Sequence, residues 1–207
     1  MEIKLVRELN VIRTLGFASI NDFEVLVRTS SDDLLAVAED LLHAIISYVV
    51  TSKVKIKHGE TFPFGYWLVK LCREGDILEV YEYNSEATEF IRGGTYTLQC
   101  WQSQHKVCDD HGANFLPPRP DKMVAISKGV YEGSIVDAVR YPSPEHMSGW
   151  WITTDQYDGD IKTLQVVHLY HLTSRRPDLM PLIALPYGYR FAGSIDTFNI
   201  WFDPKVV

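Results

Sequence analysis

The chain has 207 residues, enough for one large domain or two small ones, each with a core of its own. Hydrophobic residues make up 46% and charged residues 23%, the balance of an ordinary globular protein rather than a disordered or fibrous one. The net charge of −7 argues against a direct nucleic-acid partner, because phosphate binding needs a basic footprint, and favours encounter with a basic protein instead.

The N-terminal stretch MEIKLVRELNVIRTLGF is mixed in charge and lacks the apolar centre of a signal peptide. No uninterrupted apolar run approaches the roughly 18 residues that span a bilayer. Cys72, Cys100 and Cys108 form an odd, sparse set that suits reduced thiols better than a disulfide framework. A cytoplasmic protein with no membrane contact is expected.

Residues 17–28 (FASINDFEVLVR) read as a hairpin with Asn21-Asp22 at its turn. A helix is predicted over roughly 32–50, with Ser30 and Asp33 resembling a capping box. Leu34, Val37, Ala38, Leu41, Leu42, Ile45, Ile46 and Val49 repeat there at helical spacing and should pack on a sheet. GYWLVKLC (65–72) and ILEVYEYN (77–84) read as that sheet's strands, joined through Gly75. Glu79 and Glu82 spoil the alternation of the second strand. Residues 95–108 read as a helix with Leu98, Trp101, His105 and Cys108 on one face.

The prolines of FLPPRPDK (115–122) mark a break. Beyond it MVAIS (123–127), SIVDAVRY (134–141) and WWITT (150–154) read as strands. Residues 161–174 read as a second amphipathic helix, DLMPLIAL as a turn or short helix, and GYRF and FNIWFD as closing strands. The expected class is α+β, mostly antiparallel sheets flanked by a few helices, as one interlocked domain or two subdomains meeting near residue 118. In the second case residues 1–116 form an N-terminal subdomain, 117–122 a proline-rich linker and 123–207 a C-terminal subdomain.

Catalysis has little support. Cys100, His105, Cys108 and His111 are potential zinc ligands, but their spacing fits no usual finger or ribbon. His168 and His171 share an i, i+3 spacing without the glutamate of a metalloprotease helix. Cys72 and Cys100 sit in apolar settings typical of inert thiols. Asp155, Asp158 and Asp160 lack the remainder of a calcium loop. No metal, no cofactor and no catalytic residue is expected. A binding face is the stronger reading, because two adjacent tryptophans, Trp150 and Trp151, run into the acidic turn DQYDGD. Strand alternation sends one of the pair inward, and aromatic anchors with a charged rim are typical of protein interfaces. The candidate contact residues are Trp151, Asp155, Tyr157, Asp158 and Asp160.

The C-terminal part resembles a bacterial immunity-protein family long known only as a domain of unknown function and found beside polymorphic and contact-delivered toxins. The resemblance rests on MVAISKGVYEGSIVDAVRY (123–141), SGWWITTDQYDGD (148–160), LYHL (169–172), the Pro-Asp of RRPDLMPLIALP (175–186) and GYRF (188–191), in that order. Where family members often carry a short acidic GDE-like sequence, this chain has TTDQYDGD. The resemblance implies an α+β fold, no catalysis, and one-to-one binding of a cognate toxin whose active site or substrate surface is blocked. Basic nucleases are one such toxin class. The alternatives are a metal-dependent or thiol hydrolase and a regulatory protein-binding scaffold.

Overall fold

A computed structural model describes residues 2–195 and 197–207. The chain divides into two compact units, Met1–Gln102 and Ser103–Val207. Each is an α+β unit built on its own mixed sheet.

The first unit runs β1 (Lys4–Glu8), β2 (Val11–Leu15), the single-turn helix α1 (Ala18–Asn21), β3 (Glu24–Arg28), α2 (Leu35–Ser52), β4 (Thr61–Phe64), β5 (Trp67–Glu74), β6 (Ile77–Tyr83) and β7 (Phe90–Arg92). Helix α3 (Thr95–Asp110) begins in this unit and ends in the second. The strands pair in the order β1-β2-β3-β6-β5-β4, with β7 also on β6, and β3–β6 is the parallel pair. The predicted hairpin at 17–28 is instead a helical turn followed by a strand. The Glu24 carboxylate explains the difference: it accepts the N–H groups of Gly16, Phe17 and Ala18 and the Thr14 hydroxyl, which satisfies the donors that open α1.

The predicted stripe of α2 is the centre of the core. Leu35, Val37, Ala38, Leu41, Leu42, Ile45 and Val49 are buried against Ile12, Val25, Val27, Val69, Leu71, Leu78 and Val80. Each large aliphatic removed from water there contributes roughly 1.5–3 kcal/mol. By length and composition Asp32–Ser52 could cross a membrane, but its apolar stripe is consumed by this core. The cap lies one residue later than expected: the Ser31 side chain accepts the Asp33 N–H.

The interrupted alternation of β6 has a physical cause. Glu79 is buried but receives Arg28 Nε at 3.1 Å and Arg92 Nη2 at 2.5 Å. Burial alone would raise its pKa, yet these two guanidinium groups hold it below the ordinary carboxylate range. Glu82 accepts the Tyr96 and Thr97 N–H groups and so caps α3; burial outweighs those bonds and pushes its carboxyl up.

The second unit continues with β8 (Met123–Ile126), β9 (Val136–Arg140), β10 (Met147–Thr153), β11 (Gln165–His168), α4 (Leu169–Arg175), β12 (Tyr189–Ser194) and β13 (Thr197–Phe202). Its order is β11-β8-β10-β9-β12-β13, with β8–β10 parallel. The proline-rich stretch is held inside this unit: the Leu116 N–H donates to the Ala184 carbonyl at 2.9 Å, and the Leu116 carbonyl accepts from Arg140. The helix expected at 161–174 is corrected. Asp160 caps a 3₁₀ turn over Ile161–Thr163, Gln165–His168 pairs antiparallel with β8, and only Leu169–Arg175 is helical. The β-branched pair Val166-Val167 lies on that strand, where tertiary pairing overrides the helical period.

Candidate functional site

The Ser-Gly-Trp stretch builds the second unit's core. Alternation along β10 points Ser148, Trp150 and Ile152 inward and leaves Met147, Trp151 and Thr153 less buried on the opposite face. Trp150 is fully buried, donates Nε1 to the Ile183 carbonyl at 3.0 Å, and lies 5.0 Å from the Phe191 ring. Ser148 donates its hydroxyl to the Met123 carbonyl and accepts the Trp150 N–H. Gly149 has φ +86°, and a Cβ there would collide with the Tyr141 carbonyl oxygen, so no other residue fits. Gly188, at φ +87°, likewise leaves room for the Phe202 ring.

Two buried arginines tie this core to its loops. Arg140 donates to the carbonyls of Ser148, Leu116, Ile183 and Leu185 and lies against the rings of Trp150 and Tyr187. Burial pulls its pKa down to about 10, which leaves it charged at neutral pH. Arg176 makes a two-pronged bond to Asp178 at 2.9 and 2.7 Å and donates to the Val130 and Ser134 carbonyls. The Pro-Asp signature is therefore a structural clamp. Alternation along β9 puts Arg140 on the inward face with Val136 and Ala138, but its charge hid that position in the sequence.

The functional candidate is the opposite face of the sheet. Register places Trp201, Arg190, Val139, Trp151, Ala125 and Val166 in one row across all six strands. A second row holds Asn199, Ala192, Asp137 and Thr153. Arg190 bridges them, bonded to Asp137 at 3.0 Å and Asp203 at 3.4 Å, with its guanidinium 5.5 Å from the Trp201 ring centre. Trp151 meets Tyr141 edge-on at 6.3 Å. A concavity of about 640 Å³ opens beside them, lined by Tyr141, Pro142, Met147, Trp151 and Tyr157 with Arg190. A neighbouring one of about 720 Å³ is lined by Ile135, Asp137, Thr153, Asp155 and Gln156.

Trp151 and Tyr157 thus border the same hollow, and Asp155 the next one. Asp158 and Asp160 are engaged locally: Asp158 accepts the Asp160 N–H and the Thr163 hydroxyl, while Asp160 accepts the Lys162 N–H. These two carboxylates shape the turn. Arg190 and Trp201 were missed in the sequence, because only sheet register aligns them with Trp151.

The residues considered for chemistry do not converge. Among the described residues no group of three His, Cys, Asp or Glu side chains is placed to hold a metal. Burial is the largest influence on each thiol and raises all three, Cys100 to about 12 and Cys108 to about 11. They are protonated at neutral pH and poor nucleophiles. His105 stacks on Phe115 at 3.7 Å, and His168 and His171 lie 5.8 Å apart.

Residues 103–203, just under half of the chain, match the family model of the Imm33-like domain. That match covers the motif series quoted above and is a similarity of the second half of the chain to an immunity-protein-like domain. No curated protein and no solved structure matches the chain.

Proposed function

We propose that this is an immunity protein that binds a cognate bacterial toxin one to one in the cytoplasm and blocks its active site or substrate surface. The observation that carries the reading is the Imm33-like match over the second unit. Immunity families act by association, and a protein of net charge −7 is suited to meet a basic toxin such as a nuclease. We assign the contact to the sheet face that bears Trp151, Tyr157 and Asp155. It joins two aromatic anchors to an acidic rim, the composition that concentrates binding energy at protein interfaces. Asp158 and Asp160 contribute by holding the turn that presents Tyr157.

The test is co-expression with any toxin gene found next to the gene for this protein. The toxin alone should stop growth, the pair should grow, and the two proteins should co-elute in equal amounts. A neighbouring toxin that kills equally in the presence of this protein, without forming a complex, would overturn the proposal.

A further inference from the structure

We propose that the protein pairs with a second copy of itself through the free edge of β13, joining two six-stranded sheets into one. β1 carries Lys4, Arg7 and Glu8 in five residues, β4 has Pro63 in its middle, and β11 is only four residues long. Charge, proline and shortness are the usual ways an edge is kept from pairing. β13, Thr-Phe-Asn-Ile-Trp-Phe, ends its sheet with none of these, and Trp201 and Phe202 are 39% and 50% exposed.

The direction of its backbone groups follows from one bond. The Asp203 N–H donates to the Gly188 carbonyl at 2.8 Å, in step with Trp201 opposite Arg190 and Asn199 opposite Ala192. Alternation then turns the N–H and C=O of Phe198, Ile200 and Phe202 away from β12. An antiparallel copy satisfies all of them in one register, with Ile200 opposite Ile200 and Phe198 opposite Phe202, two bonds to each pair. Aromatic meets aromatic and β-branched meets β-branched, the pairs that stabilise strands most. No charge lies on the strand, so the occupant the edge fits best is its own copy.

Electrostatics separates this occupant from a basic protein. Two chains of net charge −7 repel, so screening by salt should strengthen self-association, whereas it would weaken capture of a basic partner. The pairing does not depend on the toxin-binding reading. A two-fold axis perpendicular to the sheet would keep the Trp151 faces of both copies on one side.

The experiment is sedimentation equilibrium of the full-length protein alone, up to about 100 µM. A dimer that tightens as salt rises is expected. Ile200→Pro removes an N–H that β12 does not use, so the variant should keep its circular dichroism spectrum and sediment at least tenfold more weakly associated. The same register sets Asn199 of one copy opposite the partner's Trp201, within disulfide reach. Oxidation of the Asn199→Cys/Trp201→Cys variant should therefore link two chains, and this decides the matter if Ile200→Pro fails to fold. A monomeric wild type, a dimer that Ile200→Pro leaves intact, or no cross-linking would each overturn the proposal.

Discussion

In the first unit the charges enclosed by the core are carboxylates, Glu79 and Glu82; in the second they are guanidinium groups, Arg140 and Arg176. The first unit neutralises Glu79 with arginines that remain partly in solvent and sets Glu82 at the start of a helix. The second satisfies Arg140 with backbone carbonyls from three separate segments. A carboxylate accepts bonds and suits places where N–H groups converge. A guanidinium donates up to five and suits places where loop carbonyls converge. The second unit is rich in irregular chain around its sheet, so a buried donor is the group that can organise it.

The largest expected effect follows from this contrast. Arg140→Ala should destabilise the second unit by about 4 kcal/mol or more, since each buried carbonyl left unpaired costs about 1–3 kcal/mol. Denaturant unfolding would measure it, and a loss below about 1 kcal/mol would mean that the carbonyls find other donors. Gly149→Ala comes next, at about 3 kcal/mol, from the collision with the Tyr141 carbonyl and the left-handed backbone together. Its unfolding midpoint should fall well below that of Gly159→Ala, where the added methyl meets open space at a similarly positive φ.

Smaller and confined to the first unit is Glu79→Gln, expected to cost about 1–3 kcal/mol because its arginine partners keep part of their hydration. The contrast also has a pH signature. The folded-state pKa of Glu79 lies below the ordinary value, so the stability it supplies is complete above the usual glutamate range near 4.3 and is lost as pH falls through the depressed value. Glu24, lowered against burial by the Thr14 hydroxyl and the α1 amides, acts in the same direction. Glu82, raised by burial, offsets part of the loss. Arg140 stays protonated throughout that window. Amide exchange at pH 3 should show the first unit opening before the second, and Glu79→Gln should narrow the difference. Simultaneous opening would break the comparison.

The sequence made the first unit more legible than the second. The Leu, Val and Ile of α2 repeat at 3.6 residues and face a single sheet, so period and burial agree. The β5–β6 hairpin was equally plain, with Gly75 at its turn. Where the reading failed, long-range contacts decided. Gln165–His168 is a strand only because β8 lies beside it, and Ala18–Asn21 is a helical turn because Glu24 reaches back to its amides. The candidate site divides the same way. Alternation predicted that Trp150 and Trp151 part company, but the row from Trp201 to Val166 exists only through register. Of the three turn carboxylates, local bonds occupy Asp158 and Asp160 and leave Asp155 beside its hollow, a distinction that spacing alone does not carry.

The most direct test of the toxin-binding face is protection, by a Trp151→Ala/Asp155→Lys variant, against a toxin that the wild-type protein neutralises in co-expression. Wild type and an Arg7→Ala control on the first unit serve as comparators. At least a hundredfold weaker binding and lost protection are expected for the double variant, with its unfolding curve little changed and the control fully protective. Full protection by the double variant would contradict the assignment of the toxin to this sheet face.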